Sequence, residues 1–202
     1  MPVSPAFVPA ILDFWFGTSD PGAQVQARMG DWFHGTPELD AEVRRRFGDA
    51  YQEAVVGRAE GMLATPGGRL AYIILIDQFS RNIHRASPDA FSADGRSLRA
   101  SIDGIAAGVD RGFGLHQRAF FYLPLEHAED RDLQARSVAL FTALREDAPP
   151  ALKPQAQVYL DFAVRHRELV ERFGRFPHRN ATLGRTTTIE EFAWLRKPGA
   201  GF

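Results

Sequence analysis

The chain has 202 residues, 45% of them hydrophobic and 24% charged, with a formal net charge of −1 and no cysteine. That length and balance suit one buried core, so a single domain over 1–202 is expected, and the composition does not suit disorder. The near-zero charge offers no field for nucleic acid or a membrane surface, and the missing cysteine rules out disulfides, thiolate metal sites and thiol catalysis.

Helical periodicity dominates from the first elements onward. A helix is expected from about Pro9 to Phe16, stopped by Gly17; Asp13 interrupts its apolar stretch, and no basic segment of a signal peptide precedes it. Trp15, Trp32, Phe14, Phe16 and Phe33 make this region aromatic enough to staple the first helices to a core. From Pro37 to about Arg58, Leu39, Val43, Phe47, Tyr51 and Val55 recur every four residues, with Thr36 as cap and Pro37 in the first turn. After Pro66-Gly67-Gly68, the span Leu70 to Phe79 is apolar almost all round, as a buried helix should be. A helix over Ala90 to Ala107 stops at Gly108, and a short one holding Phe120, Phe121 and Leu123 is expected to end before Pro124. Leu133, Val138, Phe141 and Leu144 mark a helix ending near Glu146, and Pro149-Pro150 and Pro154 then delimit a loop. Tyr159, Phe162, Ala163, His166, Leu169, Val170 and Phe173 share one face of the next helix, ended by Gly174. Thr188 and Glu191 form a capping box for a last short helix with Phe192 and Leu195. The expectation is an all-α fold of about eight helices. No apolar run reaches the roughly 18 residues of a spanning helix, so a cytoplasmic protein is expected.

Two helix ends echo each other. Leu75-Ile76-Asp77-Gln78-Phe79-Ser80-Arg81-Asn82-Ile83-His84-Arg85 lies on Leu169-Val170-Glu171-Arg172-Phe173-Gly174-Arg175-Phe176-Pro177-His178-Arg179 at an offset of 94 residues (175 − 81), and seven of eleven positions match in type. The shared pattern is an acid, an Arg four residues on, and a His-Arg pair three beyond that. At that spacing on a helix, Asp77 can pair with Arg81 and Glu171 with Arg175. Asp77 shares its face with Leu70, Ile73 and Ile74, where a carboxylate is tolerated only when paired. A structural account of the echo is therefore complete in itself. A functional account starts from Gly174 to Thr188, which carries Arg175, His178, Arg179, Asn180 and Arg185 and no acid, with Arg81, Asn82, His84 and Arg85 repeating the theme. Guanidiniums with His and Asn donors suit phosphate or carboxylate, and a long acid-free loop is a place for function. If the two copies converge, they make one cationic site for a small anionic metabolite, with Asp77 as the internal partner of Arg81.

Glu126-His127-Ala128-Glu129-Asp130, with His166 and His178, has the ligand types of a metal site, but neither His-Glu-x-x-His nor Glu-x-x-His occurs, so no metal and no cofactor is implied. His166 on its apolar stripe reads first as a buried, satisfied histidine. Were His127, His166, His178 or Glu129 to face the Arg cluster, each would be a candidate for proton transfer. Gly-x-Ser-x-Gly, the P-loop and Gly-x-Gly-x-x-Gly are absent, so no reaction is named.

The strings Ile11-Leu12-Asp13-Phe14-Trp15-Phe16-Gly17, Asp31-Trp32-Phe33, Asp77-Gln78-Phe79-Ser80-Arg81-Asn82, Tyr122-Leu123-Pro124-Leu125-Glu126-His127-Ala128-Glu129, Phe173-Gly174-Arg175-Phe176-Pro177-His178-Arg179-Asn180 and Leu183-Gly184-Arg185 run nearly end to end. Through them the chain resembles a largely bacterial family of uncharacterised proteins, the domain-of-unknown-function family 924. The resemblance implies a tetratricopeptide-like arrangement of helical hairpins and no activity; the chain carries no 34-residue tetratricopeptide signature of its own. Two roles stand as expectations: a small-anion site at the Arg/His/Asn loops, or a helical module that binds a protein or peptide and uses those motifs structurally.

Overall fold

The computed structural model describes residues 7–20, 23 and 25–200, and among them every regular element is helical. In order these are α1 (Phe7–Phe16), α2 (Met29–Phe33), α3 (Pro37–Val55), α4 (Pro66–Ile73), a π-helical turn (Ile74–Gln78), α5 (Phe79–Ile83), α6 (Asp94–Ala106), α7 (Leu115–Glu126), α8 (Arg131–Asp147), α9 (Lys153–Phe173) and α10 (Ile189–Leu195). Short 3-10 turns link several of them. No helix among the described residues is long and apolar enough to cross a membrane.

The starts follow local chemistry. Thr36 accepts from the Leu39 amide at 3.2 Å, Thr65 from Gly68 at 3.1 Å and Asp130 from Leu133 at 2.9 Å. Each supplies one acceptor to the unbonded amides of a first turn. At α10 the capping box is complete, with Glu191 Oε2 accepting from the Thr188 amide at 2.7 Å.

Several boundaries differ from expectation, among them the start of α6, at Asp94 where Ala90 was expected. α7 continues through Pro124 to Glu126. Phe120, Phe121, Tyr122, Leu123 and Leu125 are all buried there, and burying several such side chains at roughly 1.5–3 kcal/mol each outweighs the roughly 3 kcal/mol cost of a helical proline. Pro154 opens α9 instead of closing a loop, because a proline in the first turn forfeits no helical bond. The buried run after Pro66 is continuous from α4 into α5 but widens at Ile74–Gln78, where the Phe79 amide reaches back five residues to the Ile74 carbonyl.

The chain groups into two compact units. One is built from the chain up to Arg85 and from Asp89–Leu125, the other from Ala86–Pro88 and from Glu126 onward. The first unit is organised by rings. Phe79 meets Phe14, Trp15 and Phe47 with centroids 5.9, 5.4 and 4.8 Å away. Trp32 packs on Phe16 and Phe120 and donates its indole N–H to the Trp15 carbonyl at 2.9 Å. The aromatic N-terminal residues thus do staple the first helices to a core. In the second unit α8 and α9 pack on each other across the 148–152 connection, and Leu169, Val170 and Phe176 form a small core joined by Phe173 and Trp194.

Phe79 is fully buried at the centre of the ring cluster. Phe79→Ala is expected to lower unfolding stability by about 3–5 kcal/mol, read from urea denaturation followed by tryptophan fluorescence; a loss below about 1 kcal/mol would contradict that placement.

Candidate functional site

The two copies of the helix-end motif fall in different units, and each is best described where it stands. In the first unit Asp77 is wholly buried in the π-helical turn. It accepts from Gln78 Nε2 at 2.6 Å and pairs with Arg81 at 3.6 Å, as the four-residue spacing predicts. Arg81 also grips both oxygens of Asp94, at 3.1 and 3.0 Å, and lies over the Phe91 ring. Arg85 binds both oxygens of Asp40, and Asn82 donates to the same carboxylate at 2.8 Å. Burial alone would raise the Asp40 carboxyl, but the bonds from Arg85 and Asn82 outweigh it and hold the group below its usual range. His84 packs its ring against Tyr51, 5.3 Å between centroids.

In the second unit the same motif behaves differently. The expected Glu171–Arg175 pair is not formed. Gly174 adopts φ +70 and ends α9 one residue before Arg175, so the shared helical face on which the spacing relies is lost. Glu171 pairs with Arg167 instead, and Arg175 turns to both oxygens of Glu191, at 2.6 and 2.9 Å. Those bonds hold the Glu191 carboxyl down to about 2. In the first unit the helix runs on through Arg81 to Ile83, and there the pairing survives.

The segment after Gly174 is strapped down throughout. Arg185 reaches both oxygens of Glu129, at 2.6 and 2.9 Å, and also the Asn180 side-chain oxygen at 3.0 Å and the Phe176 carbonyl at 3.0 Å. Glu129 accepts as well from the Phe176 amide at 2.8 Å. Burial works against ionisation of Glu129, yet Arg185 and the Phe176 amide keep its carboxyl lowered. Asn180 is fully buried and donates to Glu191 at 3.2 Å. Thus Arg175, Asn180, Arg185 and Glu129 are tied into one network that shapes the loop.

Inside that strap lies a distinct cluster around the fully buried Phe176 ring. His166 meets it edge-on at 5.3 Å, His178 lies tilted at 5.6 Å, and the Arg179 guanidinium sits over its face at 4.6 Å. Arg179 is 8% exposed and donates to the His127 carbonyl at 3.1 Å. The His127 and His166 rings are 6.3 Å apart, and His166 Nδ1 lies 3.1 Å from Glu126 Oε1. Gln134 donates to the Glu126 and Ala128 carbonyls, at 2.6 and 2.7 Å, and holds this turn in place. His127 and His178 are half-buried, so the cluster reaches the surface through them. Burial pushes the His166 imidazole well below its ordinary value, helped by His127. Burial and then Arg179 push His178 down to about 4. Of the sequence candidates, His127, His166, His178 and Arg179 therefore come together. Glu126, Glu191, Asp40 and Asp94 are partners that spacing does not reveal, since each answers a residue at least 11 positions away. Among the described residues no group of three or more His, Asp or Glu side chains is placed to hold a metal ion.

A family model described as "Bacterial protein of unknown function (DUF924)" matches residues 11–199. The chain belongs to this family. A solved structure of the Agrobacterium tumefaciens protein ATU0120, whose function is unknown, is similar to the DUF924 chain described here at 34% identity and a TM-score of 0.81, covering 96% of this chain and 98% of the other. No curated protein matches.

The depressed imidazoles make a pH prediction. A histidine that is harder to protonate folded than unfolded stabilises the fold above its unfolded value of 6.5, and that stability is lost as pH falls toward the folded value of about 4. Melting temperature is expected to fall between pH 6.5 and 4, before the carboxylate Glu191 is protonated at still lower pH. His178→Gln should flatten the upper part of that decline; an unchanged profile by calorimetry would show that His178 does not contribute.

Proposed function

We propose that the second unit binds a small anion, a carboxylate or phosphate, at Arg179, His127 and His178. The observation that carries this reading is the gathering of one buried guanidinium and two imidazoles around Phe176, with the His127 ring 6.3 Å from that of His166. A guanidinium held out of bulk water attracts an anion far more strongly than an exposed one. His166 and His178, kept uncharged beside it by burial, add hydrogen-bonding groups without adding repulsion toward the guanidinium. The wider expectation also enlisted Arg81, Arg85, Arg175 and Arg185. Each of those four is paired with a carboxylate, at Asp94, Asp40, Glu191 and Glu129, which supports a structural role for them.

A thermal-shift series with phosphate and simple carboxylates tests it. A ligand at about a hundredfold its Kd adds about 2.7 kcal/mol to the folded state, which for a chain of this size raises Tm by about 5–10 °C. His127→Gln with His178→Gln, at half-buried positions, is expected to abolish the shift and leave the fold intact. Absence of any shift in the wild type would end the proposal.

A second reading, a helical module for a protein partner, is favoured by one observation. On α10, Ile189 is 91% and Phe192 58% exposed, one turn apart. Large apolar groups exposed side by side are a common mark of an interaction surface. Ile189→Glu with Phe192→Glu should then abolish partner capture while leaving any anion-induced shift unchanged.

A further inference from the structure

α10 is held by one face and bare on the other. On the inner side Glu191 takes Arg175, and Trp194 packs on Phe173. On the outer side Ile189, Phe192, Ala193 and Arg196 recur at the three- and four-residue spacing of one helical face, and all four are exposed. Charge is divided between the two ends of this face. Glu190, in the first turn, receives both Arg172 bonds on Oε1, at 2.9 and 2.7 Å, and its Oε2 has no partner among the described residues. At the other end stand Arg196, whose guanidinium lies over the Phe192 ring, and Lys197; neither meets a carboxylate among the described residues. A strip that is acidic at its start, apolar along its middle and basic at its end is complementary to its own reverse. A second copy turned about a twofold axis at Phe192 and Ala193 sets 192 opposite 193 and carries its Arg196 and Lys197 to the Glu190 end of the first. A purely acidic partner would answer the cations and repel Glu190, and a purely apolar one would leave both ends unanswered.

Building on the interaction-surface reading above, we infer that α10 pairs antiparallel with α10 of a second copy of this chain, with Ile189, Phe192 and Ala193 at the centre and Glu190 of each copy against Arg196 and Lys197 of the other. A seven-residue helix a side is small beside the roughly 20–30 residues of a standard interface, so monomer and dimer exchange and the dimer fraction rises with protein concentration. The chain has no cysteine, so Ala193→Cys supplies the single thiol, and two such thiols come within bonding distance only if the twofold axis passes beside them. Under mild oxidation Ala193→Cys is expected to form a disulfide-linked dimer about tenfold faster than Ala139→Cys, an exposed site on α8. Sedimentation velocity of the wild type should show the average mass rising with concentration from one chain towards two. Ile189→Glu with Phe192→Glu, both at exposed positions, should hold it at one. Lys197→Glu is expected to weaken the dimer severalfold, and Glu190→Lys with Lys197→Glu to restore it, because the antiparallel arrangement brings those two positions together. A wild type that stays monomeric, with Ala193→Cys cross-linking no faster than Ala139→Cys, overturns the second copy and leaves the surface reading to the capture experiment above. A dimer that survives Ile189→Glu with Phe192→Glu is formed elsewhere on the chain and overturns the inference, and so does a charge swap that fails to rescue.

Discussion

The second unit depends on a carboxylate that must not be left unpaired. Glu129 sits just before α8, and it receives Arg185 from 56 residues away and the Phe176 amide from 47. Half-removed from water, it would resist ionisation on its own; two guanidinium bonds and one amide bond reverse that. The consequence is geometric. With its amide fixed to Glu129 and its carbonyl to Arg185, Phe176 holds its ring in one place, and His166, His178 and Arg179 are arranged against that ring. Surface pairs such as Arg45–Glu42 or Arg99–Asp103 have no such reach, and solvent screens their attraction.

The two copies of the eleven-residue motif part at one of the four positions where they differ in type, Ser80 against Gly174. Ser80 lets the helix continue, so Arg81 stays on the face of Asp77 and helps neutralise a fully buried carboxylate. Gly174 takes a left-handed conformation that most residues adopt only at a cost. The chain leaves the helix there, Arg175 swings to Glu191, and the His-Arg pair beyond is delivered to Phe176 and not to a helix end. In the first unit the corresponding Arg85 is absorbed by Asp40 and Asn82 shares the same carboxylate. The echo is real in sequence and unequal in chemistry.

Burial also explains where local rules were overruled. Pro124 remains inside α7 because its neighbours have nowhere better to place five apolar side chains. The π-helical turn at Ile74–Gln78 places both Asp77 and Gln78 inward, in contact with each other, within a run that is otherwise apolar. A wide turn of this kind shifts the helical face locally, and no four-residue periodicity announces it.

Much of the fold was legible from the residues alone. Thr36, Pro37, Thr188 and Gly174 marked helix ends because a cap or a left-handed turn is a short-range requirement, and the spacing of Val43, Phe47 and Tyr51 marked a buried face. The Asp77–Arg81 pair was legible for the same reason, as both partners share one helix. The site was legible in its members, His127, His166, His178 and Arg179, but not in its pairings. Glu126 with His166 and Glu129 with Arg185 join residues 40 and 56 positions apart, and no periodicity extends across intervening turns. By itself, then, the sequence determined the helices, their caps and which chemical groups were present, since those depend on near neighbours; which carboxylate met which guanidinium or imidazole was decided only when packing brought distant groups within hydrogen-bonding reach.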